Sequence, residues 1–204
     1  MKKAQIQLVL SVVVFTVLLL GGLGFWFIGV YNGLVTADND VDGAKAQVEV
    51  VLQRRLDLIP NLVNTVKGYA DHEKQTLTAV LEARAAAQDT LDRIMSKKNV
   101  TKNDVETLVA SEKALGGVLD RLFALVENYP DLKANSNFLA LQDQLEGTEN
   151  RIAVQRMRYN DSVRVYNTKI QAFPGNIASA LLSFEERGYF DAADRANTPP
   201  EVNF

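Results

Sequence analysis

The chain has 204 residues, 47% of them hydrophobic, with 22 Lys plus Arg against 25 Asp plus Glu, one histidine and no cysteine. Without Lys2 and Lys3 the balance is 20 against 25, a net −5, and so mild an acidity argues against nucleic-acid binding, which needs clustered cations facing phosphates. The missing cysteines exclude a disulfide framework and thiolate metal sites.

Ala4 to Ala37 contains no Asp, Glu, Lys, Arg or His. Within it, Ile6 to Val30 is apolar apart from Gln7, Ser11 and Thr16, and as a helix it would be roughly 37 Å long, against a hydrocarbon core of about 30 Å. This predicts a transmembrane helix over residues 6–30, preceded by a short cytoplasmic N-terminus (1–5). A cleaved signal peptide is the rival reading, since MKK resembles a basic leader. Against it, the apolar run exceeds a leader core of about 7 to 15 residues, and GFWFIGVYNGL offers bulky aromatics where small residues should mark cleavage. Trp26 and Tyr31 are expected at the membrane interface. Lys2 and Lys3 before the span and Asp38, Asp40 and Asp42 after it predict a bundle facing the periplasm or cell exterior.

After YNGLVTADND a helical stripe begins with Val41, Ala44, Val48, Val51 and Leu52 and continues through Leu58, Ile59, Leu62, Val63 and Val66. A kink is expected at Pro60, which lacks a backbone donor, and Gly68 weakens the far end. A second amphipathic run carries Leu77, Val80, Leu81, Ala87, Leu91 and Ile94. Thr101 followed by Asp104 predicts a capping box for a third helix, with Val105, Leu108, Val109, Leu115, Leu119, Leu122, Phe123 and Val126 on its apolar face and a stop at Pro130. Phe138, Leu145, Ile152, Tyr159, Tyr166 and Phe173 then repeat every seven residues. They predict a fourth helix over about 137–172, roughly 54 Å long. The sequence FPG breaks it, and Ile177 to Phe184 reads as a short helix. The tail from residue 191, ending PPEVNF, reads as extended, either frayed or with Val202 and Phe204 docked in a groove. The expected fold class is all-α: an N-terminal transmembrane helix, an elongated antiparallel bundle of about four long helices over residues 31–190, and a short C-terminal helix.

The blocks QRRLDLIPNLV, VKGYADHE, LFALVENYPDLKAN, FLALQDQLEGTENRIAVQRMRYND, YNTKIQAFPGNI and PPEVNF, in this order, resemble the LemA family of bacterial membrane proteins. The resemblance covers nearly everything after the span. It implies a membrane helix followed by a helical domain, without an assigned reaction or catalytic residue.

Charged residues interrupt the apolar stripes. Arg54 is three residues before Asp57, a spacing for a local ion pair. Arg55 instead lies within the stripe, between Val51, Leu52, Leu58 and Ile59, and Arg84, Glu112, Glu149 and Arg156 hold the same kind of position on the other helices. An unpaired buried charge costs several kcal/mol, so these five are expected to form a polar layer, Arg55, Arg84 and Arg156 neutralised by Glu112 and Glu149, that fixes helix register. The alternative is an anionic site near Arg55 and Arg84, serving a ligand or an enzyme under regulation.

A single histidine, His72 beside Glu73, cannot furnish a multi-ligand metal site. Glu149 with Arg151, and Glu185 with Glu186, read as solvated helix faces, and Tyr159, Tyr166 and Tyr189 as aromatics with a polar tip at the core boundary. There is no phosphate loop, GxSxG or HExxH. The expected protein is therefore a non-enzymatic membrane-surface scaffold without a cofactor, whose partners are the lipid bilayer and a second copy or other membrane proteins.

Overall fold

The computed structural model describes residues 2–190, and for residues 2–7 and 9 the backbone alone; the predicted tail, with Val202 and Phe204, lies outside the described residues. Six α-helices and no strand are present among them: α1 (Lys2–Lys67), α2 (Lys74–Met95), α3 (Lys102–Val126), α4 (Pro130–Lys133), α5 (Ser136–Gln171) and α6 (Gly175–Leu182). The class is all-α, as the periodicities predict.

The predicted span and the first bundle helix are one continuous α1, 66 residues and about 100 Å long by helical rise. The apolar periodicity resumes only after YNGLVTADND, yet the helix does not pause there. No proline interrupts that stretch, and Leu34, Ala37 and Val41 are buried within it, so packing holds the helix through Gly33 and Asp38. Below residue 26 the large apolar side chains of α1, Leu8 and those from Leu10 to Phe25, are exposed. Above it Val48, Leu52, Leu56, Ile59, Leu62 and Val66 form one buried stripe.

Helix α1 is the axis of the bundle, in contact with α2, α5 and α6. Its pairing with α2 is antiparallel: Lys45 Nζ donates to the carbonyls of Met95 (3.3 Å) and Lys97 (2.8 Å), and Gln53 and Gln88 exchange amide hydrogen bonds at 3.0 and 2.8 Å. Lys45 thereby places a cation on the orphan carbonyls at the α2 C-terminus. At the far tip, Tyr129 Oη donates to Glu73 (3.1 Å) and Asn135 Nδ2 to Tyr69 Oη (2.9 Å). Exposed His72 lies in the turn between α1 and α2.

Three expectations need correction. Leu81 is exposed, because α2 turns only Leu77, Val80, Ala87, Leu91 and Ile94 to its neighbours. Phe173, read as the last heptad position, lies beyond the end of α5 and is 74% exposed. The short helix starts at Gly175 rather than Ile177 and stops at Ser183, whose φ of 57° is left-handed. α4, a single turn started by Pro130, was not foreseen where the proline was read as a stop.

The capping box forms as the sequence predicts. Thr101 Oγ1 accepts from the Asp104 amide at 3.3 Å, and Asp104 Oδ2 accepts from the Thr101 amide at 3.1 Å. Burial raises the Asp104 pKa, but hydrogen bonds from Lys97 Nζ (2.5 Å) and Thr101 outweigh it and hold the carboxyl below the ordinary aspartate value of 3.8. A depressed folded pKa gives stability that is present above the unfolded value and lost as pH falls through the folded one. Asp104→Asn is therefore expected to cost about 1–2 kcal/mol at pH 7 and progressively less below pH 3.8. Thermal unfolding of the full chain in detergent, followed by helical circular dichroism across pH, checks this.

Candidate functional site

The five stripe charges diverge in the folded bundle. Arg55 on α1 donates from Nη1 to Glu112 Oε2 on α3 at 3.2 Å, and both side chains are largely withdrawn from water. Arg156 on α5 completes a cluster: its charge and that of Arg55 act on Glu112. Burial raises the Glu112 pKa above its ordinary value, and the attraction of Arg55 and then Arg156 offsets this in part. Burial likewise lowers the Arg156 pKa against the attraction of Glu112. The Arg156 guanidinium lies 5.1 Å from the centroid of the Phe190 ring, and its Nε is buried without a hydrogen-bond partner. Glu149 acts on this cluster from an exposed position at longer range.

Arg84 stands apart from the carboxylates. Its Nε donates to the carbonyl of Leu56 at 3.3 Å. Leu56 is four residues before Pro60, and a proline inside α1 has no N–H for that carbonyl. The helix runs unbroken through Pro60, and a side chain from α2 supplies the missing donor. Arg54 is exposed, while Asp57, its expected partner, accepts from Gln53 Nε2 at 2.8 Å.

A second constellation, absent from the sequence reading, lies where α1 leaves the apolar span. Arg187 follows α6 in an extended strap, residues 184–190, and is only 3% exposed. Its Nη2 meets Asp38 Oδ1 at 2.6 Å and Asp42 Oδ1 at 3.4 Å, and Nη1 donates to the Lys98 carbonyl in the α2–α3 turn. Burial lowers the Arg187 pKa, but Asp38 and Asp42 more than reverse this and raise it. One guanidinium therefore ties the strap to α1 and to the α2–α3 turn.

The strap is held along α5 by two asparagines seven residues apart. Asn167 gives its amide to the Arg187 carbonyl (2.9 Å) and takes the Arg187 N–H (3.0 Å). Asn160 repeats the exchange with Phe190 at 2.7 and 2.8 Å. Each side chain thus imitates the neighbouring strand that an extended backbone normally needs. Tyr166 Oη donates to the Glu185 carbonyl at 2.9 Å, and Gln171 binds Glu186 at 2.7 Å. Tyr159, buried, stacks edge-on against Phe190 at 5.2 Å, and burial pushes its phenol up to about 12. Gly188 passes so close to α3 that a methyl group there would lie 2.5 Å from the Lys102 nitrogen.

Beside the strap opens a cleft of about 330 Å³ lined by Tyr31, Asp38, Lys98, Asn99, Tyr166 and Arg187, among others. None of the five predicted charges lines it. Of its lining charges, Arg187 is paired with Asp38, and Glu185 accepts from Asn99 Nδ2 at 2.5 Å. No group of three His, Cys, Asp or Glu able to hold a metal occurs among the described residues. The arrangement is suited to clamping chain segments together. The sequence carried two faint signals for it: Asp38 and Asp42 one turn apart, and Asn160 and Asn167 one heptad apart.

Arg187→Met is expected to cost about 3–5 kcal/mol by leaving two carboxylates facing an apolar side chain, with faster limited proteolysis after Tyr189. For Pro60 a double-mutant cycle applies. Arg84→Met should cost about 1–3 kcal/mol in the parent chain, where it strands the Leu56 carbonyl, and distinctly less in a Pro60→Ala background, where the backbone N–H restored at that position takes the carbonyl. Thermal unfolding midpoints of the four proteins give the coupling.

The sequence model of the LemA family matches residues 44–204 of this chain. Magnetosome protein MamQ 2 of Paramagnetospirillum magneticum is 28% identical, over 83% of this chain and 67% of its own. MamQ of Magnetospirillum gryphiswaldense is 25% identical over the same shares, and Protein LemA of Metamycoplasma hominis is 24% identical over 89% of this chain and 78% of its own. The match takes in the Arg55 and Glu112 pair, the Arg84 bridge and the Arg187 strap. This chain belongs to the LemA family.

Proposed function

We propose that this protein is a single-pass, membrane-anchored scaffold. Its bundle stands outside the cytoplasm and engages a second copy or other membrane proteins, and it catalyses no reaction. The observation that supports this best is α1: 66 residues without a break, its lower part apolar and exposed all round, its upper part the axis of the bundle. A helix of that kind is long and apolar enough to cross a membrane, and its continuity couples the bundle rigidly to the span. The paired or bridged state of Arg55, Arg84 and Arg187 supports a structural role for the core charges. The anionic-ligand reading near Arg55 and Arg84 has less support, since both cations are already engaged. The relatives are named for a magnetosome and for the family, with no reaction in either name.

Two measurements test the proposal. A C-terminal alkaline phosphatase fusion is expected to be active, and an equivalent cytoplasmic reporter silent, if the bundle faces outward. Crosslinking in native membranes through Val50→Cys or Met157→Cys, both at exposed apolar positions on α1 and α5, is expected to give species above monomer mass. A lone monomer after gentle extraction and crosslinking overturns the scaffold.

A further inference from the structure

The segment Phe173 to Leu182, FPGNIASALL, carries no charge. Within it Phe173, Ile177 and Leu181 recur every four residues and so share one side of the turn and α6, with Leu182 beside them. All four are exposed, Phe173 at 74% and Leu181 at 68%. The opposite side is fastened to the bundle. Ala178 is fully buried, Ser179 Oγ donates to the Ile170 carbonyl at 3.0 Å, and a methyl group on Gly175 would lie 1.9 Å from the Lys169 carbonyl oxygen. Tertiary packing therefore holds an apolar face outward.

The level of that face along α1 identifies what covers it. The Phe173 ring lies 6.2 Å from that of Trp26, Phe184 lies 6.3 Å from Tyr31, and Lys169 Nζ donates to the Gly33 carbonyl at 3.1 Å. These contacts set α6 beside residues 26–34 of α1. The uncharged run Ala4–Ala37 is 34 residues, roughly 51 Å of helix, against about 30 Å of hydrocarbon and 40–45 Å with both headgroup layers. With Lys2 and Lys3 in one headgroup layer, Trp26, about 35 Å further along the helix, falls at the other, and residue 34, about 47 Å along, at its outer margin. Between α1 and the turn that joins α5 to α6 runs a groove of about 260 Å³, lined by Gly29, Val30, Gly33, Leu34, Phe173 and Pro174 among others. Gly29 and Gly33, one turn apart, leave it open: a methyl group on either would meet nothing within 4 Å.

We propose that α6 is a second membrane contact. Its Phe173, Ile177, Leu181 and Leu182 side lies in the headgroup and acyl boundary of the bundle-side leaflet, as interfacial amphipathic helices do. The span anchors the protein, and α6 fixes how the bundle leans and which side it turns to the lipid. The inference rests on the membrane reading of α1, and its test separates the two.

The chain has no cysteine, so single substitutions Leu181→Cys, Leu18→Cys and Arg121→Cys allow an environment-sensitive fluorophore to be attached to the full-length protein. Each is reconstituted in vesicles of phosphatidylcholine and phosphatidylglycerol, with nitroxide-labelled lipid or aqueous iodide as quencher. The label at 181 is expected to show blue-shifted emission relative to that at 121 and to lose intensity to shallow nitroxide lipid, while iodide quenches chiefly the label at 121. If the label at 18 is lipid-quenched but that at 181 behaves as at 121, α6 lies in water and the proposal falls while the span stands. Shielding of 181 from both quenchers means a protein partner covers α6 and also overturns it. Failure of lipid to quench 18 overturns the span reading and this one together.

Discussion

A single helix meets two surroundings, and the rest of the molecule is arranged around that constraint. From Leu10 to Phe25, α1 presents large apolar side chains in every direction; from Leu34 to Val66 it presents one stripe. Backbone hydrogen bonds within a helix are satisfied in either environment, so no joint is needed at the change. Helices α2 and α5 then pack on the upper part of a rod whose direction is already set, and α3 packs on α2.

The fully buried charges among the described residues, Asp104, Glu112 and Arg187, each have an ionic partner, as withdrawal from water requires. Arg55 finds Glu112, Arg187 finds Asp38 and Asp42, and Arg84 finds a backbone carbonyl left open by Pro60. Such pairs add little net stability against apolar residues of equal size, but they penalise any slip of one helix along another. Arg55 and Arg84 secure the upper part of α1, and Arg187 secures the base of the bundle, at the middle of that helix. The strap from Phe184 to Phe190 closes the lower bundle between α5 and the α2–α3 turn, and the two asparagines of α5 supply the hydrogen bonds its extended backbone lacks.

In the proposed membrane setting, the same base that carries the Arg187 clamp also carries α6. Clamp, strap and short helix are consecutive in the chain, from Gly175 to Phe190. A load placed on α6 by the bilayer would therefore pass through Arg187 to the Asp38 turn of α1, and through Lys98 to the α2–α3 turn. This is a mechanical route that uses no flexible linker.

The helices of this protein were legible because periodicity is local: the heptads from Phe138 to Tyr166, the stripe from Val41 to Val66 and the Thr101 capping box depend on residues within a few turns of one another. Composition likewise marked Ile6 to Val30 as apolar enough to span a bilayer. Periodicity also located Arg55, Arg84, Glu112 and Arg156 on inward faces, wrongly placed the exposed Glu149 with them, and gave no means of choosing among partners. That choice depends on distances between helices, so the structure pairs Arg55 with Glu112, sends Arg84 to Leu56 and leaves Glu149 exposed. Arg187 was invisible for the same reason. Asp38 is 149 positions away, in a stretch read only for its charge, and no spacing within EERGYF predicts that a strap will carry that arginine into the one place where two aspartates on a helix can receive it.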